Sequence, residues 1–200
     1  RGPPRRPPPA DQRRIMTPLV VPPSTVRFFP AGTSCVDARP GDLVLTADSG
    51  FLAKGIQFFE RLRLGHEWSW TNHAAIVVGS GPQALVSQMA ASGDILTPIS
   101  QLNATLYAVV SIEMTDVQRG DVVQFATLSV GTTGYGYLQI PADAFNAMSG
   151  LELSLGWGNR MVCSTQACRA LERAGLIPDR SPYAVTPAHL AQYFGAPRPA

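Results

Sequence analysis

Two hydrophobic spacings alternate along this chain, and they predict two kinds of element. Short apolar or β-branched runs bounded by Gly, Pro or Asp occur at residues 43–46, 74–78, 84–88, 95–97 and 106–113, and they read as strands. Alternation is clearest in the last run. Helical spacing recurs at residues 50–64, through Phe51, Leu52, Ile56, Phe59 and Leu62, and again at residues 141–148 and 186–194. The last of these opens with Thr186 as a cap and Pro187 in the first turn. Ala167, Ala170, Leu171 and Ala174 form a further helical stripe after Cys163, stopped by Gly175 and Pro178. Residues 115–130 fit two readings. Thr115 followed by Asp116 suits a helix start, whereas the stretch from Gly120 to Phe125 would also suit a strand, and the helix is the expectation adopted. Residues 15–30 mix Val-Val, Pro-Pro and Phe-Phe, as an extended arm laid across a domain would. The mixture predicts an α+β fold.

Composition narrows this to one domain. Two hundred residues at 45% hydrophobic support one real core, and the expected division is a flexible tail and arm over residues 1–30 and a folded domain over residues 31–200. Residues 1–9 pack arginine between prolines and offer little to bury, so they read as a disordered or polyproline-like tail. Net charge is only +2, and no aromatic residues are interleaved with the basic tail for stacking, which argues against specific nucleic-acid binding. No apolar run approaches the roughly 20 residues of a membrane span. The basic start runs into prolines rather than an apolar stretch, so no signal peptide is expected, and a cytoplasmic or virion-associated location follows as the expectation.

Three cysteines, Cys35, Cys163 and Cys168, cannot build a closed disulfide framework. Cys163 and Cys168 lie five apart on one predicted helix and, at about 100° per residue, point to different faces. Cys163 stands out because the predicted helix begins there. Unpaired N–H groups and the positive end of the helix dipole favour its thiolate, the usual route to a nucleophilic cysteine. The base candidate is His73, which opens an apolar run closed by Gly79. Cys35 and Cys168 read as core thiols, His66 as a surface or gating residue, and His189 as solvated on the outer side of a late helix. No Cys-x-x-Cys or His-x-x-x-His pair supports a zinc site, and Gly131 to Gly136 lacks the lysine and strand-to-helix setting of a phosphate loop. Gly79-Ser80-Gly81 reads as a turn between strands, not a serine nucleophile elbow.

The order of these landmarks resembles the permuted papain-like amidases, a circularly permuted branch of the NlpC-type cysteine peptidase superfamily. The residues that carry the resemblance are Pro40-Gly41-Asp42, the strand from His73 to Gly79, the strand from Ala84 to Gln88, the Gly134-Tyr135-Gly136-Tyr137 segment, and Val162-Cys163-Ser164. The resemblance implies a papain-like, circularly permuted fold with an antiparallel sheet packed against helices. It implies Cys163 as nucleophile, His73 as base and Gln88 as the third group that orients the imidazole. It also offers Tyr137, Trp70, Asp42 and Ser164 as substrate-binding candidates, with Trp68 and Trp70 at the cleft entrance. Two positions depart from the family pattern: Gln88 stands where a carboxylate is frequent, and Thr165 where Glu commonly follows Cys-Ser. Glutamine can accept the imidazole N–H bond but supplies no charge to an imidazolium.

The function that follows is a cysteine hydrolase, a thiol amidase or peptidase, acting without a metal or organic cofactor. Its expected substrate is an amide in peptidoglycan stem peptides or small N-acyl compounds, which would place it in cell-wall degradation in a bacterium or phage. Two alternatives stay open. One is a non-catalytic structural or binding module of a phage tail or cell-envelope assembly, and the other is a lipid amidase or acyltransferase.

Overall fold

The computed structural model describes residues 22–47, 57, 60–62, 64–81, 83–136, 160–176 and 181–199. Six strands form one antiparallel sheet: β1 (Ser24–Phe29), β2 (Leu43–Thr46), β3 (His73–Val77), β4 (Leu85–Ala90), β5 (Gly93–Pro98) and β6 (Tyr107–Ile112). Their spatial order is β1-β6-β2-β3-β4-β5, with every neighbouring pair antiparallel. The chain is thus α+β, as its two hydrophobic spacings predicted. The arm contributes more than expected, since β1 falls within residues 1–30 yet pairs along its whole length with β6. Val26 and Phe28 on it pack against the main core, which is why this stretch becomes an edge strand instead of an appendage.

Strand alternation sorts the sheet into two dry faces. Leu43, Leu45, Ala74, Ile76, Ala108, Val110 and Ile112 meet the helices. Val44, Ala75, Val77, Val86, Tyr107 and Val109 face the other way, against Cys35, Ala38, Ala84 and Ile99.

Three helices cover the first face: α1 (Asp116–Ser129), α2 (Cys163–Arg173) and α3 (Pro187–Tyr193). The ambiguous residues after Thr115 are helical because the start is strongly specified. Thr115 and Gln118 form a reciprocal capping box, and Val122 and Ala126 of α1 join the core. Gln118 Nε2 also donates to the Ala174 carbonyl at 2.8 Å, tying the head of α1 to the end of α2. Gly175 stops α2 with φ of +72°, and Leu176 N–H bonds back to the Leu171 carbonyl at 3.0 Å.

The helix expected at residues 50–64 is seen at the described positions 57, 60–62 and 64, and the one expected at residues 141–148 lies outside the described residues, as does the tail over residues 1–9. His189 departs from its expected solvated position. It is the third residue of α3, its ring Nδ1 accepts the Thr186 N–H at 3.2 Å, and it is buried by closing that cap. None of the described helices is long and apolar enough to cross a membrane.

Candidate active site

β3 begins with His73 and antiparallel β4 ends just beyond Gln88, so the two side chains meet at one end of the sheet. The His73 Nε2 to Gln88 Oε1 distance is 2.7 Å. Gln88 Nε2 donates in turn to Thr97 Oγ1 of β5 at 2.7 Å, with the amide oxygen placed towards the imidazole. An acceptor at Nε2 selects the Nε2–H tautomer and leaves Nδ1 as the ring's accepting nitrogen. Gln88 thereby has the geometry of an orienting group, and it lacks a charge.

Cys163 is the first residue of α2, preceded by an extended Val162 that provides no side-chain cap. The first-turn N–H groups are therefore not satisfied by a capping side chain, and the helix exceeds the length at which its dipole matters. The thiol is 8% exposed and packs with Met89, Met161 and Phe125. Met89 follows Gln88 on β4, so the head of α2 is seated at the end of the sheet that carries His73 and Gln88. Alternation adds a constraint. Gln88 pairs with Ala75 and shares its face, opposite the one that Met89 and α2 occupy. The imidazole and the thiol therefore start from opposite faces of the sheet, at the same end of it.

The other two thiols are placed differently. Cys168 is fully buried, and burial, aided by the nearby Glu172 carboxylate, pushes its pKa up to about 12. Burial also raises Cys35, followed by the hydrogen bond from its Sγ to Asp37 Oδ1 at 3.3 Å. All three cysteines are free thiols.

The four expected substrate contacts fare unequally. Tyr137 lies outside the described residues. The segment just before it forms β7 (Gly134–Tyr135), parallel to β8 (Arg160–Met161), which leads directly into Cys163. Gly136 lets the chain lie close to β8, since a Cβ there would sit 3.2 Å from the Met161 carbonyl carbon, tighter than ordinary contact. Ser164 is 1% exposed, so its side chain offers little to a ligand.

Asp42 is fully buried at the opposite end of β2 from Thr46, the residue paired with His73. There it accepts from Arg39 N and Ser111 Oγ at 3.0 Å each and faces Arg119 at 3.4 Å. It anchors the strand and does not approach the imidazole. Trp70 is chiefly a core residue. It is 5% exposed, tilted against Phe28, and bonded through Nε1 to the Ala196 carbonyl at 2.9 Å; Trp68 likewise packs on the core. His66 is exposed, as expected, and accepts at Nδ1 from Arg61 Nε at 2.8 Å.

A second polar cluster was not anticipated. Ser87 Oγ donates to Asp94 Oδ1 at 2.9 Å, Gln166 Nε2 donates to Ser87 Oγ at 2.7 Å and to Asp94 Oδ2 at 3.1 Å, and Ser129 Oγ also donates to Asp94 Oδ2. These residues join β4, β5, α1 and α2 inside the protein. Burial raises the Asp94 carboxyl above the usual carboxylate range, although the hydrogen bonds from Ser129, Ser87 and Gln166 pull it back. Gln166 lies one helical turn after Cys163, so this cluster fixes the rotation of α2 and hence the bearing of the thiol. Only the period of two on β4, which turns Ser87 towards the helices, hinted at it.

No protein-family model matches the chain, and no curated protein matches it. A solved structure does, the crystal structure of metalloprotein yiiX from Escherichia coli O157:H7, of the DUF1105 group. The match has a TM-score of 0.50 at 19% identity, over 69% of this chain and 67% of that one. At that identity the likeness bears on the fold alone. Among the described residues, no three of His, Cys, Asp and Glu are grouped so as to hold an ion.

Proposed function

We propose that this protein is a cysteine hydrolase of the permuted papain-like kind, acting on amide bonds through Cys163, His73 and Gln88. The observation that carries the reading is the 2.7 Å contact between His73 and Gln88 at the sheet end where the uncapped helix bearing Cys163 is seated. That contact gives the imidazole an orienting partner on Nε2, the arrangement a thiol-activating base needs.

In the reaction, Nδ1 of His73 takes the thiol proton and the Cys163 sulfur attacks the amide carbonyl carbon. The C–N bond breaks as the imidazolium returns its proton to the leaving amine, which gives a thioester. Water, deprotonated by the same imidazole, then attacks the thioester, releasing the carboxylic acid and restoring the thiol. Backbone N–H groups of the first turn of α2 supply hydrogen bonds to the oxyanion. Stem peptides of peptidoglycan and small N-acyl amines are the substrates this chemistry serves, with lipid amides as a further class.

Burial of the thiol among Met89, Met161 and Phe125 favours a second reading, a fold kept as a non-catalytic assembly module. Incubation with muropeptides, acyl amino acids and lipid amides, followed by intact-mass analysis, separates the two. An acyl adduct on Cys163, absent from Cys163→Ala, is the expected result. A reactive thiol that acquires no adduct from any of them would overturn the enzyme reading.

A further inference from the structure

Beyond the row of residues that holds His73, the sheet end opens into a cavity of about 540 Å³. Its position follows from register. Thr46 of β2 pairs with His73 on one side and with Tyr107 of β6 on the other. The next residues outward, Ala47 and Leu106, line the cavity together with Trp70, whose exposed edge it uses. With a rise of about 3.3 Å per residue and about 4.8 Å between strands, Ala47 stands within roughly 10 Å of the His73 backbone. The floor is therefore apolar and lies one residue outward from the strand position paired with His73, which is not itself in the lining.

The rim carries unlike charge chemistry. Arg61, Arg198 and His66 line it, with the Ser69 and Thr105 hydroxyl groups. Arg61 donates to His66 Nδ1, which holds that ring with its proton on Nε2 as a further donor. The backbone N–H of Arg198 is fixed to the Glu67 carbonyl at 2.7 Å. Among the described residues, neither guanidinium makes an ion pair, and Glu67 makes none either. Two arginines that meet no carboxylate among the described residues, beside one apolar floor, form a receptor for an oxyanion, because guanidinium binds carboxylate and phosphate through paired, charge-assisted hydrogen bonds.

We infer that the Arg61–Arg198 cavity binds the anionic group, a carboxylate or phosphate, carried by the amine half of the substrate. The inference rests on the hydrolase reading for its orientation: His73 protonates the leaving amine, so the cavity at His73's end of the sheet receives the amine half while the acyl half lies towards the head of α2. An N-acyl amino acid, or a peptide cleaved near its C-terminus, has this shape.

Calorimetric titration of Cys163→Ala protein tests binding apart from turnover. The probes are N-octanoyl-glycine, its neutral glycinamide, and N-octanoyl-phosphoethanolamine. The expected result is about tenfold tighter binding of an anionic probe than of the glycinamide, a preference erased by Arg198→Gln or Arg61→Gln and partly kept by Arg198→Lys. The ratio between the glycine and phosphoethanolamine probes tells carboxylate from phosphate. Equal affinity for all three, no saturable binding of either anion, or a preference that survives both arginine substitutions overturns the site. In the Cys163-containing protein, kcat/KM for the glycine probe over that for the glycinamide should fall towards unity in Arg198→Gln. Anion binding without any turnover would leave this site standing and remove the hydrolase reading. Turnover with no anion preference would do the reverse.

Discussion

Ser87 and Gln88 are neighbours on β4, yet one belongs to a sealed polar cluster and the other to an open one. Ser87 turns towards the helices, where it, Ser129 and the Gln166 amide N–H group converge on Asp94 away from water, while Gln166 Oε1 stays buried without a partner among the described residues. Gln88 turns to the other face and shares its amide between His73 and Thr97, with the imidazole only half-buried. Sealed clusters of this sort resist rearrangement, since any partner removed leaves a buried polar group behind. The open pair instead keeps a titratable ring at a strand end, where a substrate can reach it. Scaffold and candidate chemistry are thus separated by one residue of strand alternation.

The largest effect expected from breaking this comparison lies on the open side. His73→Ala should lower amide turnover on the order of a thousandfold, the usual weight of a general acid–base group. Gln88→Ala should cost less, about ten- to a hundredfold, because it loosens the imidazole without removing it, and Gln88→Glu should retain or improve activity. Steady-state kinetics beside thermal melts would check this, with melting points expected to move little. A wild-type rate in Gln88→Ala would detach that residue from the site.

On the sealed side the effect should fall on stability. Asp94→Ala strips an acceptor from Ser87, Ser129 and Gln166, and the Ala126 carbonyl, 2.9 Å from both serine Oγ atoms as an alternative acceptor, offers partial relief. A loss of about 2 kcal/mol is expected, or roughly 6 °C in Tm for a chain of this size. Denaturant titration should reveal it. A change below about 0.5 kcal/mol would mean that the cluster does not hold the helices to the sheet.

The contrast was only half legible in the sequence. Strand positions followed from β-branched runs, and the helix start at Cys163 from the stripe Ala167, Ala170, Leu171 and Ala174 with its glycine stop. Local signals sufficed there. The His73–Gln88 contact was expected from a resemblance, and its 2.7 Å geometry follows from the antiparallel register of β3 and β4. Asp94, Ser129 and Gln166 are brought together from elements tens of residues apart, which no local pattern encodes. Asp42 misled for the opposite reason: its Gly-Asp motif marks a strand start, and that start lies at the far end of the sheet from the imidazole. Trp70 was half legible: the Ala196 carbonyl claims its N–H inside the core, while one edge of the ring lines the cavity at the sheet end.

Thiol labelling should sharpen the comparison at smaller scale. Cys163 is the partly accessible sulfur at a helix start, while Cys35 and Cys168 are sealed and raised by burial. Iodoacetamide near pH 7 should therefore modify Cys163 at least about tenfold faster, read by peptide mapping. Faster reaction at either of the others would remove the nucleophile assignment.

The smallest effect expected is a slope with pH. Because burial holds the folded-state pKa of Asp94 above its unfolded value of about 3.9, this group favours folding most at low pH. That contribution is complete below about pH 3.9 and is lost as pH rises through the raised folded value. Asp94→Asn keeps the shape and much of the hydrogen bonding but cannot ionise, so it removes this slope alone. The stability of the natural protein relative to Asp94→Asn should accordingly be greater at pH 4 than at pH 7, measured by parallel melts at the two values. The opposite trend would mean that the ionised carboxylate is the form the fold prefers, and that the three donors around it outweigh its loss of water.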